Sequence, residues 1–185
     1  MFFSGLQADR VQGLPSLIEK LMQTRKTARA LLFDAQGRLL LVRMHDPDVS
    51  AENGHVVPEP YWVTVGGEID AGEDVASAAL REIAEETGLR EVRLGGEVWY
   101  TEHVLAIRGE PRLFQETFVL AHVENADLSA DDWTETERRV IKGLKWWDVE
   151  ALVASDEKFF PTSLQTHIEA LARGEIPKTT IVIEP

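Results

Sequence analysis

The chain has no cysteine among its 185 residues. A disulfide framework and a cysteine-ligated zinc site are therefore excluded. No apolar run approaches the roughly 20 residues a helix needs to cross a bilayer. The start, Met1-Phe2-Phe3-Ser4-Gly5, lacks the basic opening and long apolar stretch of a signal peptide. These absences predict a soluble, cytoplasmic protein without a membrane partner. Positive charge is also scarce, with 19 Lys and Arg against 32 Asp and Glu and a net charge of -13. That argues against a nucleic-acid polymer as the main partner, because such binding relies on clustered cations. A small phosphorylated ligand stays open, since a bound divalent cation reverses a local acidic field. There is no internal repeat, no low-complexity segment and no linker long enough to divide the chain. An apolar fraction of 44% suits one globular domain with a sizeable core.

What is present reads as alternating strands and helices. Apolar residues at 14, 17, 18, 21 and 22 predict a helix over 14–24. Residues 1–26 are therefore expected to form an N-terminal helical extension to a domain spanning 27–185. Thr27–Phe33 and Arg38–Met44 read as strands joined by a hairpin turn at 34–37. The proline- and glycine-bearing stretch 45–60 reads as a long loop and a candidate lid. Tyr61–Val65 predicts a short strand, Glu73–Thr87 a helix, and Gly88 a left-handed stop. Two strands are expected over 92–107 and 112–123, then a polar loop over 124–136. Helices are expected over 148–155 and 163–173, and a strand-like tail over 179–183. This mixture predicts an α+β or α/β/α sandwich. The N-terminal helix and the tail are both candidate contacts for a homodimer.

The densest chemistry lies in Gly67–Leu89, which reads GEIDAGEDVASAALREIAEETGL. Arg81, Glu82, Glu85 and Glu86 stand at helical spacing, and the three glutamates fall within an arc of roughly 100°. Val75, Ala76, Ala79, Leu80, Ile83 and Ala84 form an adjacent apolar stripe expected to face the core. Crowded carboxylates repel, and a hard divalent cation such as Mg²⁺ relieves that cost through oxygen ligands. A solvated acidic face is the other reading of the same pattern.

The window resembles the signature of the Nudix hydrolases (MutT-like proteins), G-x5-E-x7-R-E-U-x-E-E-x-G-U, where U is a bulky aliphatic residue. Gly67, Glu73, Arg81, Glu82, Ile83, Glu85, Glu86, Gly88 and Leu89 fill all nine specified positions. A segment Lys145–Glu150 resembles the Trp-rich last strand and helix of many bacterial members. The resemblance implies the Nudix fold, a mixed β-sheet between helices. It implies hydrolysis of the diphosphate linkage of a nucleoside diphosphate derivative, with Mg²⁺, or Mn²⁺ in its place, as cofactor. It also implies that Glu82, Glu85 and Glu86, with the Gly67 carbonyl, hold the metal. Arg81 would fix the rotamer of Glu85. Glu73 is left between a helix-capping role and one near the metal. The general base is left among Glu82 and Glu86 in the box and Glu135 and Glu137 on the later loop. Glu116 is a weaker candidate.

Substrate contacts are less legible. Arg43 and Arg29 are candidates for phosphate, and Trp133, in a polar loop, is the aromatic least explained by packing. Tyr61, Trp62, Trp99, Tyr100 and Phe114 are further stacking candidates, and the histidines read as ordinary polar residues. The secondary motifs of NADH, ADP-ribose and dinucleoside polyphosphate hydrolases are missing, which favours a nucleoside di- or triphosphate. ADP-sugars and dinucleotides stay as alternatives, as does a Nudix-like sensor that binds nucleotide without cleaving it. An isopentenyl diphosphate isomerase-like activity needs a cysteine this chain lacks, and a decapping role is disfavoured by the charge.

Overall fold

The structure, a computed structural model, describes residues 22–51 and 54–185. Most of the helix expected over 14–24 lies outside the described residues. Its end does not, and there the expectation fails: Gln23 and Thr24 open strand β1 (Gln23–Phe33). A domain boundary at 26/27 would cut that strand.

The chain continues through β2 (Leu39–Met44), β3 (Val49–Ala51), β4 (Tyr61–Glu68) and helix α1 (Val75–Thr87). Two long strands follow, β5 (Val92–Ile107) and β6 (Glu110–Val123), and then α2 (Glu135–Val140) and β7 (Ile141–Trp147). The last elements are α3 (Val149–Val153), β8 (Phe159–Phe160), α4 (Leu164–Ala172) and β9 (Ile181–Val182). The expected hairpin turn forms at 34–37, but its strands part at once. β1 and β2 share only the Phe33–Leu39 pair. β4 fills the fork: its first half pairs with β2 and its second half with β1. β6 runs parallel to β1 on the other side, and β5 pairs antiparallel with β6. The tail strand β9 pairs with β5 of its own sheet.

Alternation along β1 sorts the core into two layers. Ala30 and Leu32 pack with Val65 and with Ile83 of α1. Leu31 and Phe33 face the opposite side, with Leu152 of α3 and Leu164, Ile168 and Leu171 of α4. The result is a mixed sheet between helices, the expected α/β/α sandwich. Fully burying Ile83 contributes roughly 1.5–3 kcal/mol. Among the described residues no helix is long and apolar enough to cross a membrane.

Three elements were not legible, one of them the two-residue strand β8. The 45–60 loop contains β3, which pairs with β5. Helix α2 begins inside the stretch expected to be a polar loop over 124–136. Its signal was present in the sequence as Thr134-x-x-Glu137, a reciprocal capping box.

Candidate active site

Helix α1 is started by Asp74, whose carboxylate accepts from Ser77 N at 2.7 Å. It is stopped by Gly88 at φ 75°, as expected. Its buried stripe is Ala78, Ala79, Ile83, Glu86 and Thr87, whereas Ala76 and Leu80 are exposed. The expected apolar stripe is thus rotated toward the acidic face. Rotation places Glu86 on the buried side, one turn from Ile83 and two from Ala79. Its residue is only 8% exposed.

Burial pushes the Glu86 carboxyl up to about 8. The Gly66 N–H, which donates to Oε2 at 3.1 Å, and Arg29 offset part of that rise, while Glu82 and Glu137 add to it. Glu82 is also raised by burial, with Arg81 opposing. Glycine at 67 leaves room for the Glu82 carboxylate: a Cβ there would lie 2.5–2.7 Å from it and displace it.

Arg81 gathers the rest of the box. It grips Glu73 with two hydrogen bonds, Nε to Oε1 at 3.1 Å and Nη2 to Oε2 at 2.9 Å. Nη1 reaches Glu82 at 2.7 Å and Glu85 at 3.2 Å, and Nη2 donates to the Glu68 carbonyl at 2.9 Å. The expected Arg81–Glu85 pair is therefore present but is one arm of a larger clamp. Glu73 is the anchor of that clamp, and the capping role expected of it belongs to Asp74. These carboxylate and carbonyl oxygens are the donors a hard divalent cation prefers. Among the described residues no three acidic or histidine side chains converge on one ligating point. Arg81 holds Glu82 and Glu85, and Glu86 turns inward to Gly66.

The box opens on a cleft of about 590 Å³. Its lining includes Glu82, Glu86, Arg25, Arg29, His103 and Glu116. The last four stand on one sheet face in cross-strand rows: Arg25–Phe114–His103, Thr27–Glu116–Thr101 and Arg29–Phe118–Trp99. Phe114 and His103 stack at 5.6 Å, and the Arg25 guanidinium lies over Phe114 at 5.5 Å. Burial holds His103 below its ordinary range, with Glu116 opposing. Burial alone would raise Glu116, but Arg29, aided by His103, pulls it below the usual carboxylate range.

Arg29 reaches the cleft as expected of a phosphate contact. Its Nε donates to Glu116 at 2.8 Å and its Nη1 to the Gly66 carbonyl at 2.9 Å. Arg43 does not reach it. Arg43 shares a sheet face with Arg29 through the row Trp62, Thr64 and Gly66 of β4, but it sits beyond the cleft, where its guanidinium lies over Trp62 at 5.7 Å and 3.9 Å from Glu157. Trp133 is not a cleft residue either: its Nε1 donates to the Glu86 carbonyl at 2.7 Å and its half-buried ring packs against the core beside Ile83 of α1. Glu137 does line the cleft. Its Oε2 is engaged by Thr134 N and Oγ1, both at 2.6 Å. Of the other aromatics, Tyr61 and Phe114 line the cleft, and Trp62 and Trp99 are core.

Sequence reasoning treated Glu116 as a minor candidate and missed Arg25 and His103 as cleft residues. The available signal was period-two alternation along 25–29, 101–105 and 114–118, which puts all of them on one face.

A family model described as NUDIX domain matches residues 23–166. The RNA pyrophosphohydrolase of Caulobacter vibrioides is 31% identical over 126 residues, covering 61% of this chain and 68% of that protein. The RNA pyrophosphohydrolase of Gluconacetobacter diazotrophicus is 30% identical over 166 residues, covering 83% and 94% respectively. Among solved structures, the MutT protein from Methanosarcina mazei matches with a TM-score of 0.59 at 17% identity, covering 84% of this chain and 97% of that one.

Proposed function

This chain belongs to the Nudix family and is a pyrophosphohydrolase acting on phosphoric anhydride bonds; from that premise we propose that it cleaves the diphosphate linkage of a small nucleoside di- or triphosphate with Mg²⁺ as cofactor. The observation that carries the reading is the buried Glu86 carboxyl beside Glu82 at the wall of a cleft whose floor bears Arg29. A buried, paired-up carboxylate set facing a guanidinium is costly without a polyphosphate and cation to occupy the gap.

In this reading Glu82, Glu85, Glu86 and the Gly67 carbonyl hold the ion. When bound, it supplies charge neutralisation for the diphosphate and a lowered pKa for the attacking water. The remaining work falls to side chains. Arg81 orients Glu82 and Glu85 through its clamp to Glu73. The Nη2 edge of Arg29, which has no hydrogen-bond partner among the described residues, anchors a phosphate oxygen. A box carboxylate, Glu82 or Glu86, takes the proton from water, and Glu137, which the structure puts on α2 rather than on a loop, stays the candidate outside the box because its Oε1 is not engaged by the capping box. Tyr61 is the aromatic candidate for stacking in the cleft, since the Phe114 ring lies between His103 and Arg25. Membership among enzymes sets the sensor reading aside.

The curated relatives, both named RNA pyrophosphohydrolase, favour a second substrate reading, a 5′-triphosphorylated RNA end. The net charge of -13 weighs against a long polyanion and for a mononucleotide. Both share the same 5′-polyphosphate chemistry. The deciding experiment measures phosphate and pyrophosphate release, with and without Mg²⁺, from nucleoside di- and triphosphates, nucleotide sugars, dinucleotides and a 5′-triphosphorylated oligonucleotide. Glu85→Gln and Glu86→Gln are run beside the wild type and are expected to lose about 10²-fold or more in turnover. Normal turnover in both variants would sink the metal assignment. Cleavage of the oligonucleotide well above that of mononucleotides would move the substrate to RNA ends.

A further inference from the structure

We infer that Glu116 is a positioning residue for the box carboxylates, acting through Arg29 and the Gly66 backbone. This rests on the reading that those carboxylates hold a metal ion. Glu116 lies outside the box, on β6, with only 7% of its surface exposed. Its Oε1 accepts from Thr27 Oγ1 at 3.2 Å and from Arg29 Nε at 2.8 Å. With Nε fixed, the planar guanidinium has little rotational freedom, and Nη1 is aimed at the Gly66 carbonyl at 2.9 Å and toward the Thr64 carbonyl at 3.5 Å. Gly66 is thereby gripped at its carbonyl while its own N–H holds Glu86 Oε2 at 3.1 Å.

Gly66 transmits position because it has no slack. Its φ is 140°, and a Cβ there would lie 2.1 Å from the Ala28 carbonyl oxygen. The backbone is pressed against β1, opposite Arg29 in the strand register. A continuous path of hydrogen bonds thus runs Thr27 and Glu116, Arg29, Gly66, Glu86. It starts on the cleft floor and ends at the most deeply buried carboxylate of the box. A phosphate-anchoring Arg needs only its charge and an open edge. This one is instead committed on two sides, and the commitment fixes the end of β4 that carries Gly67.

The test is Mn²⁺ binding in the absence of nucleotide, read by electron paramagnetic resonance on the full chain, together with steady-state kinetics. Arg29→Lys keeps the charge but lacks the planar fork, and Glu116→Gln removes the carboxylate charge that orients it. Both are expected to weaken Mn²⁺ binding by about 10- to 100-fold, the range for outer partners of metal ligands. Thr27→Val, which removes one donor to Glu116, is expected to weaken it about two- to fivefold. In Arg29→Lys, kcat falls more than KM rises, and excess Mg²⁺ recovers part of kcat. If Glu116→Gln fails to fold, Arg29→Lys and Thr27→Val carry the result. Wild-type Mn²⁺ affinity in Arg29→Lys, with loss confined to nucleotide KM, overturns the inference and leaves Arg29 a phosphate contact alone. Absence of both Mn²⁺ binding and hydrolysis in the wild type would instead remove the functional reading on which it rests.

Discussion

Arg29 and Arg43 stand on strands of one sheet, were equal candidates for phosphate in the sequence, and ended in opposite environments. Arg29 is enclosed by Glu116, the Gly66 carbonyl and the cleft. Arg43 lies over the Trp62 ring, with its side chain 44% exposed and Glu157 nearly 4 Å away. The first arginine is over-determined by partners, and the second is one contact among several at a wet rim. Residue type and sheet face are the same in both patches. What differs is whether the neighbouring strand supplies a buried carboxylate and a constrained carbonyl.

The largest effect that would sharpen this contrast is expected from Arg29→Ala. Removing the guanidinium strands Glu116 as a buried, uncompensated charge, a loss of about 3 kcal/mol. For a domain of this size that is a fall of roughly 6–12 °C in Tm, measurable by calorimetry. An unchanged melting curve would mean that Glu116 is solvated and the enclosure is not real.

A second effect concerns Glu86, at the end of the same hydrogen-bond path. Its carboxyl stands near 8 in the folded state against an ordinary 4.5. Between those values the unfolded chain releases the proton and the folded chain keeps it, so stability falls as pH rises through that window. In a chelator, the Tm of the wild type is therefore expected to drop relative to Glu86→Gln between about pH 5 and 8. Parallel pH profiles for the two proteins would show that Glu86 titrates as a normal surface carboxylate.

Smaller again is Trp133→Phe, which keeps the ring and removes the hydrogen bond to the Glu86 carbonyl. A cost of about 1 kcal/mol with unchanged nucleotide KM is expected in denaturant unfolding and kinetics. A rise in KM without loss of stability would return Trp133 to the substrate. The smallest effect belongs to Arg43→Ala. An exposed cation–π contact and a loose ion pair are together worth at most about 1 kcal/mol. Turnover within about twofold of wild type is the expected kinetic outcome for a residue outside the cleft. A large loss of kcat/KM in this variant would break the contrast between the two arginines.

The box was legible because its spacing is local. Glu82, Glu85 and Glu86 share a helix face whatever the rest of the chain does. The Asp34–Gly37 turn, the Gly88 stop and the C-terminal helices were read for the same reason. Helix α2 was missed although its capping box was in view, because a six-residue helix leaves too short a periodic trace to stand out from a polar loop. The core-facing stripe was misplaced by part of a turn: Leu80, expected in it, ends exposed, while Ala78, left out of it, is buried.

The cleft floor was illegible for a different reason. Arg25, Arg29, His103, Phe114 and Glu116 come from three strands, and only their register makes them neighbours. Nothing in β1 or β2 alone distinguishes Arg29 from Arg43, because both follow the same alternation on a strand. The sequence by itself determined the helix, its carboxylates, their clamp by an arginine and the family's chemistry, all carried by residues within one short window. Only the tertiary structure decided which arginine faces the cleft, that Trp133 supports the helix rather than a ligand, and that Glu116 holds Arg29 against Gly66. Those outcomes depend on strands meeting in a forked sheet, where a side chain's partners are set by residues far away in the chain.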